Sequence, residues 1–221
     1  NVRVVAEGGD GPDSGGNVLV SAGDNAGKIA VTGGSSDVQG GAVELSGGAS
    51  SNGDASGGSV LVMGGSSSSG ASGEVNIGST DGTSTGAISL QTGSASESQS
   101  GSIDIISGAS MTKAGEITVL AGNSNLEVGA SVNLRAGDSD ATSGGGLNLV
   151  SGSGTEGGTS SLRAGLGSES GGTLELMSGP AVTGASGAVQ VRAAASEQGE
   201  GGFISIIAGS GASAGGDLSL S

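Results

Sequence analysis

The sequence predicts an all-β chain, a parallel β-solenoid of about 15–16 coils with roughly 14–15 residues per coil around a thin, flattened core. Three observations predict it. Pairs of aliphatic residues two apart recur along the whole chain, glycine flanks each pair on both sides, and the segments between are short and built of small residues. "SIDIISG" at 102–108, "EITVLAG" at 116–122 and "AVQVRAA" at 188–194 are three such phrases.

The second aliphatic of each phrase falls at Val4, Val20, Val31, Leu45 and onward to Leu220, sixteen phrases in all. The steps run from 11 residues (Val20 to Val31) to 17 (Leu45 to Val62) and average 14.4, or 216 residues over fifteen steps. Two residues earlier stands another aliphatic, from Val2 and Val18 to Leu218, with Ser160 the exception. Side chains two apart share one face of a strand, so the two rows are expected to face the core. Two residues after the second aliphatic the side chain is always small, as at Ala22, Thr92, Ser107, Ala121, Ala136, Ser151, Ala164 and Ala208, and the inward row tapers toward a corner. A corner glycine comes next, at 23, 34, 48 and 137 among others, with Glu7, Thr80 and Ala194 departing, and an entry glycine precedes the phrases from Gly16 and Gly41 to Gly216, with Ala130 the departure. Paired glycine columns at fixed offsets predict corners of positive φ or close backbone approach.

Return segments such as "SASESQ" and "NSNLEV" join the corners and absorb the variation in length. A run of hairpins would need twice the turns and strands of comparable strength, whereas one strong strand appears per period, which favours the solenoid. Pro12 and Pro180 sit in returns, where a missing amide does no harm. With no shift in composition along 1–221, one continuous repeat array is expected. The phrases at Val2 and Leu220 would leave bare β-edges, so the expectation is a window of a longer array or a subunit that stacks end to end.

Composition narrows the function. Phe203 is the sole aromatic, and 51 of the 221 residues are glycine, so no ordinary globular core is available. Twenty-one acidic against six basic residues give a net charge of −15, which opposes phosphate binding and makes nucleic acid an unsuitable partner. No apolar run is long enough for a membrane span. Cysteine and histidine are absent, which removes disulfides, thiolate metal sites and any serine triad with an imidazole base. The chain therefore reads as non-enzymatic. Paired carboxylates at Asp138 and Asp140, or Glu197 and Glu200, stand in glycine-rich returns without aromatic sugar platforms and read as solvated charge. The stretches at 23–28 and 137–145 lack the strict spacing of calcium-binding repeats, so no cofactor is expected and calcium at most as weak, adventitious association.

One column suggests a contact surface. Directly after the second aliphatic come Met63, Ile106, Leu120, Val150, Met177 and Ile207, interleaved with Arg135, Arg163 and Arg192. Period-2 geometry turns these positions outward, as a candidate lateral interface; alternatively the strand bends there and tucks the aliphatics into a corner of the core while the arginine stems lie along it. The outward residue between the paired aliphatics varies, as with Glu44, Asn76, Asp104, Thr118 and Asn133, so no threonine ladder of the ice-binding kind appears.

The glycine-bounded Val-x-Leu phrase and the coil of about fourteen residues resemble the Gly/Ser-rich tandem-repeat β-solenoids of extracellular fibres, sheaths and adhesin stalks. The likeness runs along the whole chain, and it implies a structural role by analogy of architecture. The expectation is a self-assembling protein of an extracellular filament or surface layer, built by end-to-end and lateral packing with itself as partner. The alternative is an ice-binding or adhesive module, with ice or polysaccharide as the ligand.

Overall fold

The computed structural model describes residues 2–6, 15–24, 27–51 and 55–220; Pro12 and part of the 23–28 stretch lie outside them. Among the described residues there is no helix, no β-strand and no buried side chain. This overturns the parallel β-solenoid and its flattened core. Stacked coils would bring residues about one period apart into a continuous ladder, yet residues far apart in sequence rarely approach one another. The sequence explains the failure. Return lengths differ between steps of 11 and 17, so successive phrases have no common register; the taper positions offer little apolar area; and a net charge of −15 opposes collapse.

Closure is local instead. At ten returns among the described residues, the entry glycine or alanine donates its backbone N–H to the carbonyl of the preceding corner residue, with N to O distances between 2.7 and 3.1 Å. The bonds run from Gly41 to Gly34, Gly58 to Gly48 and Gly145 to Gly137, for example. The two glycine columns read from the sequence thus meet each other across a return, rather than meeting the next coil. Pro180 stands just after the corner Gly179, whose carbonyl accepts from Gly187, so its missing N–H is not needed.

Positive φ is not the reason for the columns. Only Gly184 among the described glycines has it, at 107°, and it lies inside a return. Close approach accounts for part of the entry column: a Cβ on Gly41 would lie 2.9 Å from the amide nitrogen of Gly34, and one on Gly172 would lie 3.2 Å from that of Gly165, whereas one on Gly86 would meet nothing within 4 Å. The corner column differs, since a Cβ on Gly34, Gly48 or Gly137 would meet nothing within 4 Å.

Proximity divides the chain into Asn1–Gly115 and Glu116–Ser221. In the first unit, the three returns closed by the bond carry glycine at the taper position, namely Gly33, Gly47 and Gly64. Carbonyl oxygens of Gly41, Gly58 and Gly73 lie 2.0, 2.1 and 2.1 Å from where their Cβ atoms would be, so the backbones are pressed together. In the bonded returns of the second unit the taper residue is alanine or serine, and a Cβ placed on the entry glycine would meet the taper Cβ at ordinary distance, as at Gly145 with Ala136 at 3.5 Å and at Gly158 with Ser151 at 3.4 Å.

Serine closes the return tips. Two residues after the corner, Ser36, Ser67, Ser110, Ser124, Ser139 and Ser196 accept a hydrogen bond from a backbone N–H two or three residues on, at 2.9–3.2 Å. These are the side-chain turns that serine forms readily. Where that place is glycine, the chain folds close upon it: carbonyl oxygens of Ser170 and Ala214 come within 1.9 and 2.2 Å of the Cβ positions of Gly167 and Gly211.

The period-2 alternation survives without a sheet. From Val18 to Leu218 the first aliphatic row is 47–60% exposed, against 64–85% for the second. Outward residues two apart bond along the phrase, with Ser102 donating to Asp104 at 3.1 Å and Thr118 to Glu116 at 3.2 Å. The half-buried residues are Ala6, Ser107, Ala121, Ala136, Ser151, Ala164 and Ser178, all at the taper position.

Candidate functional site

The candidate lateral column lies open throughout. Met63, Ile106, Leu120, Val150, Met177 and Ile207 are 74–90% exposed, and Arg135, Arg163 and Arg192 are exposed beside them. Exposure alone does not single the column out, because return residues such as Val38, Met111 and Leu126 are at 95% or more. What distinguishes it is its place: each member but Arg163, which follows Ser160 and Leu162, comes after two exposed aliphatics, so such a phrase presents three apolar or arginine-bearing positions in four residues.

Arg135 is drawn toward its own return by an ion pair with Asp138, both side chains being nearly four-fifths exposed. An exposed pair three residues apart is screened by water and contributes little to stability. It does turn this guanidinium away from the neighbouring phrases and toward the corner that follows Ala136.

Ser160, the exception in the first aliphatic row, has a reason in the structure. Its hydroxyl shares a short hydrogen bond with that of Ser151, the taper residue across the same return. Two hydroxyls replace the usual contact between an aliphatic and a small residue. An open depression of about 480 Å³ lies there, lined by Leu149, Val150, Ser151, Thr159, Ser160, Ser161 and Leu162. The sequence held the signal in the paired serines at 151 and 160, but only the return closure brings them together.

Chemistry beyond contact finds no assembled machinery among the described residues. No three acidic side chains converge as a metal site, and Asp138, Asp140, Glu197 and Glu200 all face solvent. Among the described residues no helix is long and apolar enough to cross a membrane. The tip serines escaped the sequence reading, although a serine or glycine two residues after most corners was visible as a third column.

In comparisons with known proteins, the chain matches no protein-family model, no curated protein and no solved structure.

Proposed function

We propose that this chain is a non-enzymatic structural repeat protein of an extracellular filament or surface layer, whose aliphatic rows are covered by lateral packing against other copies. The observation that carries this reading is the open state of every aliphatic row: no phrase residue is buried, and the chain exposes 21,897 Å². A folded chain of 20.1 kDa exposes roughly 8,700 Å² by the usual scaling with mass. Exposed aliphatic rows repeated along a chain favour a protein whose apolar side chains are covered in an assembly.

Net charge sets the conditions. Two copies at −15 each repel, and salt shortens that repulsion from about 30 Å at 0.01 M to about 8 Å at 0.15 M. Sedimentation across concentration and ionic strength, followed by negative-stain imaging, is the test. Association that rises with both variables, with elongated or layered assemblies on the grid, is the expected result. A monomer at high concentration in both low and high salt overturns the proposal. The ice-binding or adhesive alternative gains no comparable support, since the outward positions Glu44, Asp104 and Asn133 present no repeated hydroxyl lattice.

A further inference from the structure

We propose that the partner is a second copy of this chain lying parallel and in register, each phrase against the identical phrase. This rests on the self-association proposed above and adds its geometry. Two features of the phrases are open together. Their aliphatic rows are exposed, and among the described residues the backbone hydrogen bonds engage corners, entries and return tips, with none at the N–H and C=O groups of the phrases themselves. Extended segments in that state add to one another through backbone hydrogen bonds, with alternate side chains packing on one face.

The spacing of the phrases selects the partner. Displaced by one repeat, the 16-residue step from Val4 to Val20 faces the 11-residue step from Val20 to Val31. Reversed end to end, with Val4 opposite Leu218, Val20 falls opposite position 202 rather than Ile204, and Leu45 opposite 177 rather than Leu174. A parallel copy without displacement matches every step and places every return beside one of its own length. The available area is ample, because obligate homodimers bury roughly 2,000–5,000 Å² and the chain exposes 21,897 Å².

Register also fixes which side chains meet. Asn76, Asn133 and Asn148 stack on their own copies, an arrangement that amide side chains bridge by hydrogen bonds. Asp104 and Glu44 stack on like charges, which costs affinity at low salt. Salt therefore strengthens this pairing, whereas it would weaken pairing with a basic partner.

The absence of cysteine makes the register measurable. Three single variants serve: Asn133→Cys, Asn148→Cys in the next phrase, and Ser89→Cys, which faces Asn133 only in the reversed arrangement. Identical residues of adjacent parallel strands lie about 4.8 Å apart, inside the Cα range of roughly 4.4–6.8 Å that a disulfide spans. Variants are mixed pairwise, one isotope-labelled, oxidised under conditions where the unmodified chain sediments as an assembly, and the linked peptides are weighed by mass spectrometry. The expected result is 133–133 and 148–148 links exceeding 133–148 and 133–89 links by about tenfold. Statistical 1:2:1 linking, a dominant 133–148 link or a dominant 133–89 link overturns the register while leaving self-association intact. A chain that sediments as a monomer throughout overturns both.

Discussion

Returns of the two units close with the same hydrogen bond by different means. In the three bonded returns of Asn1–Gly115 the taper residue is glycine and the closing bonds at Gly41, Gly58 and Gly73 measure 2.7, 2.8 and 2.7 Å; in the bonded returns of Glu116–Ser221 it is alanine or serine and the bonds span 2.8–3.1 Å. Entry glycines follow the same order. The Cβ position of Gly41 lies 2.9 Å from the corner amide nitrogen, and that of Gly187 lies 3.5 Å away. Among the ten bonded returns, a side chain at the taper position goes with the looser closure. A methyl group there acts as a spacer between backbones.

The largest test of this comparison puts the spacer where it is missing. Gly33→Ala, Gly47→Ala and Gly64→Ala would each bring a Cβ within 2.0–2.1 Å of a carbonyl oxygen, so the return must open or relax to the looser geometry. Losing a hydrogen bond of about 0.5–1.5 kcal/mol corresponds to roughly two- to twelvefold faster amide exchange at Gly41, Gly58 and Gly73. Gly34→Ala is the control, since its Cβ would meet nothing within 4 Å and its φ is ordinary. Unchanged exchange in the taper variants, or equal change in the control, breaks the comparison.

A smaller effect tests whether tips and corners are independent. Ser67→Ala in the first unit and Ser124→Ala in the second remove the acceptors of the Gly70 and Glu127 amides, bonds of 2.9 and 3.0 Å. Each loss is expected to cost about 0.5–1 kcal/mol locally and to speed exchange at its own amide a few-fold. Exchange at Gly73 and Ala130 should stay as it was. If the corner amides respond as strongly as the tips, each return is one cooperative unit.

The smallest effect runs the comparison backwards. Ala136→Gly removes a spacer, and the bond from Gly145 to Gly137, 2.9 Å long, is expected to shorten toward the 2.7 Å of the first unit. The added backbone freedom of glycine offsets the gain by about 0.4–1 kcal/mol, so net protection barely moves. The signature is a downfield amide proton shift at Gly145 in NMR; an upfield shift contradicts the spacer.

Local rules were legible in the sequence, and the long-range fold was not. The paired aliphatics, the taper positions and both glycine columns stand where the offsets placed them, and the half-buried residues all fall at the taper. The partner of each column was misread. Periodicity shows that Gly137 and Gly145 recur at fixed offsets, but it cannot distinguish a corner that meets the next coil from one that meets its own entry glycine, because both impose the same repeat. Ile105 and Leu134 illustrate the cost: taken as core from their alternation, they are 69% and 66% exposed. Alternation reports which side of the backbone a residue occupies, and burial requires something on that side. The tip serines at 67, 124 and 196 were hidden for another reason, since in a serine-rich chain one more serine carries little signal until its offset from the corner is counted.

Closure by bonds that each stay within one return has a mechanical consequence. The return from Gly48 to Gly58 holds its ends 2.8 Å apart, carbonyl oxygen to amide nitrogen, while the same eleven residues drawn straight reach about 36–40 Å. Pulling on the chain opens such a latch at the cost of one backbone bond and a tip contact, without disturbing the latch in the next return. Ten of them in series store slack that is paid out piece by piece, and each can close again as soon as the load falls. Under load, returns closed one by one yield one by one, where a chain with one continuous core would resist and then fail at once.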